Sequence, residues 1–209
     1  MATKIEIRQE YRNSLKLQQV LAVAFMCSIV IFILMSVCLM SSYWITADGF
    51  RQGLLYLCIE ETSSISRAQY EPLPFDLNKE ELAPGCYPNR DVAYLKICTI
   101  FCLITQLSAL ASALLSGLGI RLKGSRRVTC VRFAICTTLV TLLCDMCLIV
   151  IYPTQFSKEI DKSNRSLWEL NSAFGLASGA GILTFGTLIL LVAVFAKNSY
   201  IYESAPTRI

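Results

Sequence analysis

Ten cysteines and no histidine set the chemical range of this 209-residue chain. Eight of the cysteines fall within or beside long apolar runs, where a thiol behaves as a small hydrophobe. Cys58 and Cys86 stand apart, in a polar stretch. A metal pair or a redox dithiol would want close Cys-x-x-Cys spacing or a histidine; Cys58 and Cys86 lack that spacing, and the chain has no histidine. Zinc sites, histidine general bases and Ser-His-Asp triads lose their usual parts for the same reason. No Gly-rich phosphate loop and no nucleophile–base pattern appears, so the chain reads as a non-enzyme with no cofactor and no metal. The basic residues sit beside apolar runs and give no reason to invoke nucleic acid.

A few other residues carry chemistry. Asp145 is the one acid inside an apolar run, where a charge costs a few kcal/mol unless paired or hydrated. Two readings stand: part of an ion or proton path, or a structural pair with Lys96 or with Ser or Thr on a neighbouring helix. Asn164-Arg165-Ser166 is a glycosylation sequon. Thr207-Arg208-Ile209 has the pattern that PDZ domains capture by strand addition and carboxylate binding. Cys130 reads either as a palmitoylation site or as a helix-end hydrophobe.

The elements that must position these residues are read from hydropathy. Apolar residues make up 55% of the chain and charged ones only 16%, and the apolar ones gather in four long runs. A helix crosses the hydrocarbon core with about 20 apolar residues. Spans are expected at 20–42, 92–120, 128–152 and 172–196. The first is too long for a signal-peptide core and is followed by Tyr43-Trp44 rather than a cleavage site. With four spans, residues 1–19, 121–127 and 197–209 share one side, which together with Arg132 just inside the third span carries eleven bases and three acids. Residues 43–91 and 153–171 share the other, which together with Lys96 near the start of the second span carries eight bases and eleven acids. The positive-inside rule makes the first side cytoplasmic and residues 43–91 and 153–171 extracellular loops one and two. Tyr43, Trp44, Tyr94 and Tyr152 are then expected in the outer interfacial belt. Arg121, Lys123, Arg126 and Arg127 serve either as a topology signal or as a site for anionic head groups.

Small residues recur every four positions: Ser108, Ser112 and Ser116 in the second span, Gly175 and Gly179 in the fourth. Such spacing lets helices approach closely, either within one bundle or across a dimer face. In the first loop, Tyr43–Thr46 and Gly53–Ile59 have strand character, and Asp48-Gly49 is a turn signal for a hairpin between them. Pro72, Pro74 and Pro84-Gly85 mark the remainder as irregular. Cys58 and Cys86 are the only cysteines on the oxidising side, so they are expected to pair. Closing a loop of about thirty residues is worth about 3–4 kcal/mol in chain-entropy terms.

This layout resembles the claudin and peripheral myelin protein superfamily. That family has a Trp early in loop one, then Gly-Leu-Trp-x-x-Cys and a second Cys; here Trp44, Gly53, Leu54, Cys58 and Cys86 match, while Leu55 replaces the second Trp. The run Trp44–Asp48, Tyr152-Pro153 and Phe174–Ala177 look more like the transmembrane protein 47 (brain cell membrane protein 1) branch and its invertebrate relatives. The resemblance implies an all-α membrane fold, a four-transmembrane-helix bundle with a small disulfide-braced antiparallel extracellular β-sheet. It implies a plasma-membrane protein of cell–cell junctions, contacting the bilayer, like or related four-span proteins in cis or trans, and a PDZ scaffold. Two alternatives remain: a paracellular cation pore using Glu60 and Glu61, or an auxiliary subunit of a channel or receptor.

Overall fold

The computed structural model describes residues 2–47, 50–59, 84–161 and 168–203, with backbone alone at 2–14, 47, 160–161 and 198–203. Four long helices dominate: α1 Ala2–Met40, α2 Ala93–Arg121, α3 Ser125–Asp161 and α4 Ser172–Glu203. Their segments Leu15–Met40, Ala93–Arg121, Ser125–Glu159 and Ser172–Lys197 are each long and apolar enough to cross a membrane. Many large apolar side chains point outward from them, for example Leu107 (66% exposed) and Ile182 (74%). Water would penalise that surface; a hydrocarbon solvent does not.

The chain divides into two compact units. The first comprises Met1–Phe32, Thr105–Leu143 and Gly181–Ile209. Its core joins Leu17, Leu21 and Ala24 of α1 with Val131 and Ala134 of α3 and Leu191 and Val194 of α4. Leu115 and Ile120 of α2 pack against it. Small polar residues link its helices: Ser112 Oγ meets Thr138 Oγ1 at 2.7 Å, and Ser108 Oγ meets Thr141 Oγ1 at 2.8 Å. These bonds use the regular serine spacing of α2 for packing inside the unit. The α2–α3 turn rests on Gly124, whose φ of +68° is left-handed, and Arg127 donates Nε–H to the Leu122 carbonyl at 2.9 Å.

The second unit comprises Ile33–Ile104 and Cys144–Ala180 and carries the sheet. Its strands are β1 Ile45–Ala47, β2 Phe50–Gln52, β3 Tyr56–Ile59, β4 Gly85–Pro88 and β5 Trp168–Leu170. The order is β4-β3-β2-β1-β5, and every neighbouring pair is antiparallel.

This corrects the sequence reading of the loops. The strand expected as Gly53–Ile59 does not pair directly across Asp48-Gly49; β2 lies between and pairs with both β1 and β3. Residues around Cys86, read as irregular, form edge strand β4. Pro88 is tolerated because it closes that edge strand. The second loop contributes β5, and α3 runs through Pro153 to Asp161.

Candidate functional site

The sheet is fastened to its helices by buried aromatics. Trp44 is fully buried and donates Nε1–H to the Cys38 carbonyl, the third-last residue of α1, at 2.7 Å. Its ring lies 5.1 Å from Tyr152 and 6.4 Å from Phe174. Tyr152 is also fully buried and donates its hydroxyl to the Gln52 carbonyl at 3.0 Å. Trp44 and Tyr152 therefore do not belong to an interfacial belt, as their position at span ends suggested. Each finds an acceptor inside, so burying the ring leaves no polar tip unsatisfied. Further along α3, Phe156 packs edge-on to Trp168 of β5 at 5.8 Å.

Gly53 explains itself sterically. A Cβ there would stand 2.2 Å from the Ser41 carbonyl oxygen and 2.8 Å from Ser42 Cα. The turn between β2 and β3 passes hard against the backbone that leaves α1, and only hydrogen fits. Leu54 follows it into the interior at 2% exposure.

Cys58 and Cys86 form a disulfide across β3 and β4, with Cα atoms 4.0 Å apart and 28 residues of separation. They are directly opposed in the register, which places the Cβ atoms within bonding reach. The other eight cysteines are free thiols. Among the described residues, no three histidine, cysteine, aspartate or glutamate side chains converge as metal ligands would.

Behind the sheet lies a polar cluster that the sequence reading missed. Arg90 grips Glu159 through both guanidinium nitrogens at 2.7 and 2.9 Å. Tyr94 donates to Glu159 Oε2 at 2.9 Å, and Gln52 Nε2 donates to the Tyr94 hydroxyl at 3.3 Å. Asn89 caps the β2–β3 turn by donating Nδ2–H to the Gly53 and Leu54 carbonyls at 2.7 and 3.1 Å. On the far strand, Asn171 Nδ2 donates to Thr46 Oγ1 at 2.6 Å. Sequence separations of 35 to 125 residues hide these partners from any local pattern.

The expected pairing of Asp145 with Lys96 is wrong. Lys96 pairs with Asp91, and both side chains are largely exposed, at 65% and 82%. The buried face of α2 here runs through Leu95, Cys98 and Cys102, and Lys96 points the other way. Asp145 is fully buried, and neither carboxyl oxygen has a hydrogen-bond partner among the described residues. Among the described residues its electrostatic neighbours include Cys38 and Cys102. Glycines 175 and 179 have open space at their Cβ positions among the described residues, which do not use them for close packing.

Asn164, Glu60, Glu61, Thr207, Arg208 and Ile209 lie outside the described residues, as does the Asp48-Gly49 turn. Cys130 is half-buried near the start of α3.

The sheet shows solvent several large side chains. Tyr43, Tyr56 and Leu170 are 42%, 40% and 44% exposed. Arg51 stacks over the Tyr43 ring at 4.5 Å and donates to its hydroxyl. Tyrosine and arginine on a rigid, disulfide-closed support have the composition of a protein-binding surface. Compared with protein-family models and with curated proteins, the chain matches none.

Proposed function

We propose that this protein is a claudin-like structural component of cell–cell junctions, whose extracellular sheet makes contacts with like or related four-span proteins. The observation that carries the reading is the anchored sheet: five short antiparallel strands closed by Cys58–Cys86 and locked to helix ends by Trp44 and Gly53. Anchoring of this kind keeps a small sheet rigid, and a rigid surface loses little entropy when it meets a partner. The charge asymmetry of the flanks supports an orientation with both chain ends in the cytoplasm and the sheet outside. The segment Thr207-Arg208-Ile209 then faces cytoplasmic scaffolds. Tagged protein expressed in an epithelial monolayer is expected to concentrate where cells touch. An even spread over the whole surface contradicts this reading.

A second reading is an auxiliary subunit of a channel or receptor, favoured by Gly175 and Gly179. They are four residues apart on α4 and leave room for a helix from another protein. Co-purification with a pore-forming subunit, lost on Gly179→Leu, would select it over the first.

A further inference from the structure

On the flank of the sheet-bearing unit, the β2–β3 turn and β4 stand away from the first two turns of α2 and leave an open groove of about 490 Å³. Leu54, Leu55, Leu95 and Ile100 form its apolar floor. The backbone of that wall is already satisfied. Asn89 donates to the Gly53 and Leu54 carbonyls, and its own N–H donates to the Leu55 carbonyl at 2.8 Å. Thr99 Oγ1 reaches the Leu54 carbonyl at 3.4 Å. The groove is therefore preformed and presents mainly carbon to an occupant.

Its rim is different. Arg90, Asp91 and Lys96 line the groove; Arg90 is held by Glu159, while Asp91 and Lys96 bond to each other. An ion pair so exposed contributes little, so a ligand offering each partner a better match displaces it at little cost. The groove lies where the apolar segment Ala93–Arg121 begins, which is the polar boundary of a bilayer. Below it, Ile97, Ile100 and Leu103 are 46%, 54% and 42% exposed, giving an apolar track that continues along α2 into the hydrocarbon.

An apolar slot with an exposed acid–base pair at its mouth, its other base already neutralised by Glu159, opens onto a lipid-facing helix and has the polarity sequence of a zwitterionic phospholipid. We infer that the groove between the β2–β3 turn, β4 and α2 is a binding site for one phospholipid with a zwitterionic amine head group. Lys96 takes the phosphate, Asp91 takes the ammonium, and an acyl chain lies over Leu95 and Ile100. Volume is in the range of small-ligand sites, about 300–1,000 Å³. An anionic lipid lacks the cationic end that Asp91 accepts, so it is disfavoured by like charge.

Native mass spectrometry of the full chain tests this after reconstitution in equimolar phosphatidylcholine and phosphatidylglycerol. The wild type is expected to retain one phosphatidylcholine per chain in at least fivefold excess over phosphatidylglycerol. Leu55→Trp, a half-buried position that fills the slot, is expected to lower retention about tenfold. Ile100→Trp, on an exposed helix position that folding does not depend on, is expected to do the same and guards against misfolding of the first variant. Asp91→Asn combined with Lys96→Gln keeps a lipid but loses the preference between head groups. The inference is overturned by equal retention of the two lipids in the wild type, by retention that neither tryptophan lowers, or by no retained lipid at all.

Discussion

Gly53 and Asp145 are single residues whose surroundings decide what can replace them. At Gly53 the neighbouring atoms are backbone, Ser41 O and Ser42 Cα, and backbone does not yield as a side-chain tip would. Gly53→Ala must push the β2–β3 turn off the end of α1, an overpacking cost of about 1–3 kcal/mol. Thermal unfolding in detergent is expected to show the lowered midpoint; an unchanged midpoint would mean the two segments are not in contact. Asp145 presents the opposite case. Its carboxyl is enclosed without a hydrogen-bond partner among the described residues, so a charge there finds nothing to offset its desolvation. Asp145→Asn keeps the shape and removes the charge, and is expected to keep or raise the midpoint while preserving surface delivery. A variant that unfolds or is retained inside the cell would show that the carboxyl has a partner. Lys96 is not that partner: Asp91→Asn, at an exposed pair, is expected to leave stability where it is.

Among elements, β2, β4 and β5 hold together what the helices alone do not. The disulfide joins β3 to edge strand β4, so replacing both cysteines by serine is expected to cost about 3–4 kcal/mol. In the denatured protein without reductant, Cys58 and Cys86 should resist maleimide, and after reduction both should react. Labelling of Cys58 in the unreduced protein would contradict the pairing. The Arg90–Glu159 pair ties the start of α2 to the end of α3, with side chains only 10% and 24% exposed. A double-mutant cycle with Arg90→Ala and Glu159→Ala is expected to return a coupling of about 1–3 kcal/mol, and a value near zero would reduce it to a surface contact.

These elements also mark how far a sequence can be read. Each span shows itself through about 20 consecutive apolar residues, a signal that needs no partner. Strands β2 and β5 are three residues long, below any length at which alternation becomes visible, and β5 depends on a pairing partner more than 120 residues away. Trp44 and Tyr152 were placed at an interface because their sequence positions are span ends; tertiary hydrogen bonds drew them inside. The Cys58–Cys86 pair was legible because the large loop contains no other candidates. The Arg90–Glu159–Tyr94–Gln52 cluster was not, since its members share neither a motif nor a period.

At the scale of the whole molecule, the proposal concerns what four apolar helices carry to the surface. A sheet so small would be marginal alone, and three or more strands with packing against helices are what make it durable. Its exposed Tyr56 stands on β3 two residues before Cys58, opposite Pro88 of β4. It is thus a residue through which binding is tested without testing stability. Suspension cells that do not normally cluster, expressing the protein on their surface, provide the measurement. The wild type is expected to drive clustering with tagged protein concentrated at the contacts. Tyr56→Ala, at equal surface amount and equal thermal midpoint, is expected to reduce clustering severalfold, and the paired Cys58→Ser and Cys86→Ser substitutions to abolish it. Clustering absent in the wild type, or undiminished when the disulfide is removed, would contradict a contact role for the sheet.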